Sequence, residues 1–383
     1  MDKISNLFVG LLLIFAATMK CAAVEYDVSP DGTAVAYVGH SWDFKDPGLF
    51  IVDLKTRYRQ RLDSWERNYV RIWCPTFAPD SHRLAFIYLA LKKGNSGPTE
   101  GVPQLWIMGL DGNTKEKIID LDTQVSPELW VRQGGDSFMT AFWLRWSPDG
   151  THIVYQTPED VEKNRIKLSI WLIDLKTKTQ KRITSKKDGL CTYPVFSPDN
   201  KEILFTKGFF LEPEPSIGEL WVMRPNGHHK QQLVSAKQGV SVVGPGAWSP
   251  DGRHIAFGSI ASSSGSPKEH SMRPLEVAAC IINRDGTGLK RGISGRWVCP
   301  QWSPDGTKIL WCEFGQWLTT GAALTDNFGN LLHFFKDVRN AQWFPDNETL
   351  AVSDDNYHIG TMKVNSSPSW WDVIDSTNSI EEP

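Results

Sequence analysis

A seven-bladed β-propeller, all-β and built from four-stranded antiparallel blades, is predicted by three features of the 383-residue chain. One short turn motif recurs seven times. Each copy lies between short apolar runs. A third strand and then a more polar fourth follow most copies in a fixed order.

The motif copies begin at Ser29, Ala78, Ser147, Ser197, Ser249, Ser303 and Phe344, and read SPDG, APDS, SPDG, SPDN, SPDG, SPDG and FPDN. Pro sets the φ that the second position of a type I turn requires, Asp bonds its own backbone two residues on, and Gly or Asn accepts a positive φ. Val28, Phe77, Trp146, Phe196, Trp248 and Trp302 precede six copies, and Trp343 precedes Phe344 in the seventh. Apolar runs such as IVY, ILF, IAF and ILW follow, so each copy reads as strand–turn–strand. A single PDG marks any turn, but seven copies spaced 41 to 69 residues apart indicate a repeat architecture.

The rest of each unit follows in order. Third strands read LFIVDLKT (49–56), QLWIMGLDG (104–112), SIWLIDLKT (169–177), ELWVMRPNG (219–227) and VAACIINRDG (277–286), and polar fourth segments such as KEKIIDL and QKRIT come after them. Four antiparallel strands repeated radially make a propeller blade. The blades fall at 25–62, 70–121, 141–184, 192–234, 242–293, 297–336 and 338–374, with an insertion at 122–140 that matches no repeat position. Pairing of the N-terminal strand into the last blade would change the count at the seam, so six blades with an irregular seventh unit is the alternative. The recurring Trp106, Trp171 and Trp221, and likewise Trp146, Trp248, Trp302 and Trp343, are expected to pack between blades.

The WSPDG–IAF–LWVM–QQL order resembles the WD40-like repeats of the periplasmic TolB group, and similar repeats occur in prolyl-oligopeptidase-type propellers. The resemblance covers about residues 24–375 and is specific to the fold rather than to an activity. It departs from both groups elsewhere. TolB carries an α/β domain ahead of its propeller, whereas here the repeats begin almost at once. No GxSxG elbow is present: the nearest strings, Gly39–Asp43 and Gly239–Val243, do not fit.

Residues 1–23 read as a signal peptide, with Lys3, an apolar run Leu7–Met19 and a small residue, Ala23, at the expected cleavage point. The run is too short to span a membrane, so the reading is an exported chain, periplasmic or secreted, with no membrane span after cleavage. Residues 376–383 read as a disordered tail. A net charge of −3 and a pI near 6.3 argue against a nucleic-acid partner. Export permits disulfides, and an unbroken ladder around Trp302 and Ile309 would set Cys299 opposite Cys312, making them the candidate pair.

Loop lengths carry the functional signal. The SPDG turns and the turns after the third strands are short and uniform. The connections emerging on the opposite face vary: 39–48, 63–69, 90–103, 122–140, 157–167, 207–218 and 259–274. Rigid scaffolds place binding residues on such loops. Trp42, Trp65, Arg67 and Trp130 lie in them, and Arg71, Arg296 and Arg339 sit near the starts of innermost strands, where they would ring the channel mouth. Arg with Trp suits a protein hot spot or an acidic sugar held by guanidinium forks. The nine His have no metal-ligand spacing, no phosphate loop is present, and no residue set identifies a reaction or cofactor. The expectation is a binding or scaffold module for an envelope or extracellular protein or peptide. The alternative is a carbohydrate-active propeller, a lyase or hydrolase of acidic oligosaccharides.

Overall fold

A computed structural model describes residues 26–39, 48–64, 70–90, 92–94, 97–99, 101–122, 142–162, 165–208, 218–261, 277–295, 297–313, 321–336, 338, 340–353, 359–366 and 372–373. Residues 1–25 and 374–383 lie outside these, and with them the expected signal peptide and tail. Among the described residues, no helix is long and apolar enough to cross a membrane.

Seven four-stranded antiparallel sheets are present. Their innermost strands are Tyr26–Val28, Val70–Phe77, Trp143–Trp146, Cys191–Phe196, Val240–Trp248, Trp297–Trp302 and Asn340–Trp343. Each blade uses consecutive chain. Tyr26–Val28 pairs with Ala34–Gly39 of its own blade, and the last blade completes its own four strands with Asp372–Val373. Among the described residues the ring is therefore closed by side chains across the seam, with no borrowed strand, and the count is seven.

The turn motif behaves as its chemistry requires. The fourth position has positive φ in every copy: Gly32, Ser81, Gly150, Asn200, Gly252, Gly306 and Asn347. In the five Ser-containing copies the hydroxyl donates to the turn Asp and accepts the amide five residues on. At Ser249 these bonds are 2.6 Å to Asp251 and 2.9 Å from His254 N. Where Ser is replaced, Asp recruits other partners: Arg83 Nε for Asp80, and the Thr349 hydroxyl and Lys363 Nζ for Asp346.

The core lies in layers between adjacent blades. One layer joins Ile87 and Leu105 to Leu144 and Tyr155, and another joins Tyr26 and Tyr37 to Phe344 and Ala351 across the seam. Trp106, Trp171 and Trp221 pack half-buried against these layers, each indole N–H donating to the side chain two residues earlier.

The expected Cys299–Cys312 disulfide is corrected. Both are buried free thiols. The ladder pairs Val298 with Cys312 and then resumes at Gln301 with Leu310, so Cys299 falls in a bulge. The same interruption occurs at Cys74-Pro75, Tyr193-Pro194 and Gly244-Pro245. Pro cannot donate to the ladder, and the residue before it has positive φ in all four. Register counted from Trp302 therefore does not carry through Pro300.

Two of the varying connections carry described strands. Blade three extends its second and third strands into a long hairpin, His152–Glu162 with Arg165–Asp174, through part of what reads in sequence as the loop 157–167. Blade two adds a small hairpin, Lys92–Gly94 with Gly97–Thr99.

Candidate functional site: the central channel

The turn-face half of the channel is a cavity of about 660 Å³, walled by the innermost strands of all seven blades. One repeat position dominates the wall. The residue two before each turn motif lines it in every blade: Asp27, Thr76, Arg145, Val195, Ala247, Gln301 and Gln342. The residue directly before the motif is apolar because it packs between blades, and its neighbour is free to vary.

Three of these residues stitch blades together. Gln301 Nε2 donates to Ala341 O at 2.9 Å, and Gln342 Oε1 accepts Val28 N at 3.1 Å. Gln342 Nε2 donates to Asp27 Oδ1 at 2.6 Å, and Asp27 Oδ2 accepts Phe77 N at 2.7 Å. A polar belt thus runs through blades six, seven, one and two, while Val195 and Ala247 leave blades four and five apolar. The indoles add bonds in the other direction: Trp146 to Thr76 O at 3.1 Å, Trp302 to Ala247 O at 3.1 Å and Trp343 to Gln301 O at 3.3 Å.

Among the described residues Arg145 is the one formal cation lining this cavity. Its guanidinium lies 3.9 Å over the Trp143 ring and donates from Nη1 to Leu144 O at 2.8 Å. Trp143 is itself fixed, its indole N–H donating to Pro194 O at 3.1 Å and its ring meeting Tyr193 edge-on. Burial pulls the guanidinium down from its ordinary value, and the Asp27 charge pulls it back. Burial likewise raises the Asp27 carboxyl, against the hydrogen bonds from Gln342 and Phe77. Among the described residues the two form no ion pair.

The sequence-predicted site residues fall elsewhere. Trp42, Trp65, Arg67, Trp130, Arg296 and Arg339 lie outside the described residues. Arg71 is placed by its backbone, opposite Leu89 near the start of its innermost strand, and its side chain lies outside the description. Asp27, Arg145, Gln301 and Gln342 escaped the sequence reading. Their signal was available: a charged or amide residue in the slot where sibling copies hold Val195 and Ala247. Among the described residues, no group of three or more His, Cys, Asp or Glu is arranged to hold a metal.

No family model matches the chain. The uncharacterized peptidase YuxL of Bacillus subtilis is 27% identical over 209 residues, 48% of this chain and 29% of that protein. The uncharacterized protein Atu1656 of Agrobacterium fabrum is 24% identical over 184 residues, 46% of this chain and 56% of that protein. Each match thus spans less than two thirds of the relative's own length. Among solved structures, an oligogalacturonate lyase in complex with manganese aligns over 90% of this chain and 87% of its own, at TM-score 0.60 and 13% identity. The β-propeller domain of the Trilobed protease from Pyrococcus furiosus, described as having an open velcro topology, aligns over 93% and 98%, at TM-score 0.57 and 12% identity. TolB from Acinetobacter baumannii is also among the neighbours, over 78% and 62%, at TM-score 0.47 and 18% identity. For the lyase and the Trilobed protease domain, at such identities, the likeness is one of fold, the β-propeller that the repeat predicts.

Proposed function

We propose that the chain is an exported binding module that recognises an envelope or extracellular protein or peptide through the face carrying the long connections. The supporting observation is the asymmetry of the scaffold. One face is capped by seven turns of a single design, while the other gains a projecting hairpin in blade three and an extra hairpin in blade two. Elaboration confined to one face of a rigid support suits recognition. In the turn-face half of the channel the described wall carries a single carboxylate, Asp27, with both oxygens engaged, which does not suit glycoside hydrolysis there. Acid–base cleavage of a glycosidic bond uses a pair of carboxyl groups.

Site-specific photo-crosslinking tests this. A photoreactive residue at Trp42 or Trp130 should yield adducts with an envelope protein, whereas one at Lys55 or Lys178, on the turn face, should not. Adducts only from Lys55 or Lys178 would refute the assignment.

A further inference from the structure

We infer that the turn-face half of the channel binds a small organic carboxylate with an apolar body, its carboxylate paired with the Arg145 guanidinium. This site lies away from the long-connection face and does not depend on the reading above.

The guanidinium is held but not satisfied. Stacking on Trp143 and the Nη1 bond to Leu144 O fix its plane, yet guanidinium carries five N–H donors. Among the described residues it makes that one hydrogen bond and no ion pair. Arg145 is half-buried and lines the open cavity, so its charge is only partly withdrawn from water and gains from an anion that meets it. Asp27, whose charge reaches Arg145, has its oxygens committed to Phe77 N and Gln342 Nε2. The remaining N–H groups face the cavity, and a carboxylate is the partner that takes two of them in parallel.

The walls define the rest of the ligand. Phe77, Trp146, Val195 and Phe196 supply an apolar surface beside Arg145, while Gln301 and Asn340 offer amides across the channel. A cavity of about 660 Å³ falls within the range of small-molecule sites. Pro30, Pro79, Pro148 and Pro198, all exposed, rim it, so entry is from the turn face. The platform is preorganised because Trp143 is anchored to the neighbouring blade. Such a carboxylate is either a free small acid or the C-terminus of a peptide.

Isothermal titration of the full chain distinguishes these cases. The probes are 3-phenylpropanoate, 3-phenylpropanol, and N-acetyl-Ala-Phe with a free or an amidated C-terminus. The acid should bind about tenfold more tightly than the alcohol, the usual worth of a charge-assisted bond. Arg145→Met should abolish that preference, and Arg145→Lys, which keeps the charge without the fork, should weaken acid binding about threefold or more. If Arg145→Met does not fold, Arg145→Lys carries the test alone. Preference for the free-acid dipeptide would identify a peptide end. Binding of 3-phenylpropanoate without the dipeptide would identify a free acid. The inference is overturned if acid and alcohol bind alike, if neither variant weakens acid binding, or if no probe binds at millimolar concentration.

Discussion

Gln342 of the last blade and Asp27 of the first are joined by a 2.6 Å hydrogen bond, and through them the ring is closed. The same amide accepts Val28 N, and the same carboxylate accepts Phe77 N, so two side chains connect blades seven, one and two. Tyr26 adds a bond from its hydroxyl to Ala351 O. Among the described residues no strand is exchanged across the seam, and these contacts do the work that a shared sheet would otherwise do.

Gln342→Ala should therefore lower stability by about 1–3 kcal/mol, since it leaves a buried amide and a carboxylate oxygen without partners. The check is the urea midpoint. Hydrogen exchange should also show Tyr26–Val28 losing protection before other innermost strands. Uniform loss across all blades would mean that the seam is not the weak point.

Two tryptophans at the same repeat position should respond differently. Trp302 donates its indole N–H to Ala247 O, whereas the buried Trp248 N–H has no hydrogen-bond partner among the described residues. Trp302→Phe should cost about 1 kcal/mol more than Trp248→Phe, the net worth of one hydrogen bond. Paired denaturation curves measure the difference, and equal costs would remove this explanation of the inter-blade bond.

The turn aspartates make the fold sensitive to acid. Hydrogen bonding from Ser249 holds Asp251 below its ordinary value. At Asp199, desolvation opposes the shift, but bonds from Ser197 and Arg284 bring it to about 2. Groups with depressed folded pKa values contribute stability that is full above the unfolded value, near 3.8, and lost as pH falls through the folded one. The melting temperature should thus drop steeply between pH of about 4 and about 2. Ser249→Ala, which removes the donor, should make the drop near pH 3.8 less steep. A flat profile down to pH of about 2 would contradict it.

The thiols offer a direct chemical check. Residues 24–383 contain five cysteines, and all are free and buried. Burial pushes the Cys74 and Cys191 thiols up to about 12, where the reactive thiolate is scarce. A thiol reagent should find all five in denaturant without reductant, and react slowly with the native chain. Three thiols in denaturant would restore a disulfide.

The turn was legible because its function is conformational: Pro, Asp and Gly are each demanded by a backbone angle or a local bond. The blade count followed from it. Register was not legible through Cys299-Pro300, because a bulge depends on where proline interrupts a ladder and not on the alternation around it. The channel wall is harder to read for the opposite reason. Asp27, Arg145 and Gln342 occupy the one innermost-strand position that the repeat leaves free, so their only signal is a charged or amide residue where sibling copies hold Val195 and Ala247. The candidates Trp42, Trp65, Arg67 and Trp130 came from loop length, a signal that locates a face but fixes no geometry.

The most direct test of the binding-module account is affinity capture from an envelope extract with residues 24–383, beside an Arg71→Glu, Arg339→Glu double variant of equal stability. The account predicts that a protein retained by the native chain is lost with the variant, because Arg71 lies near the start of its innermost strand, at the end opposite the turn, and the repeat order in the sequence gives Arg339 the corresponding place in the last blade. Retention of the same protein by both, or capture of nothing by either, would contradict it.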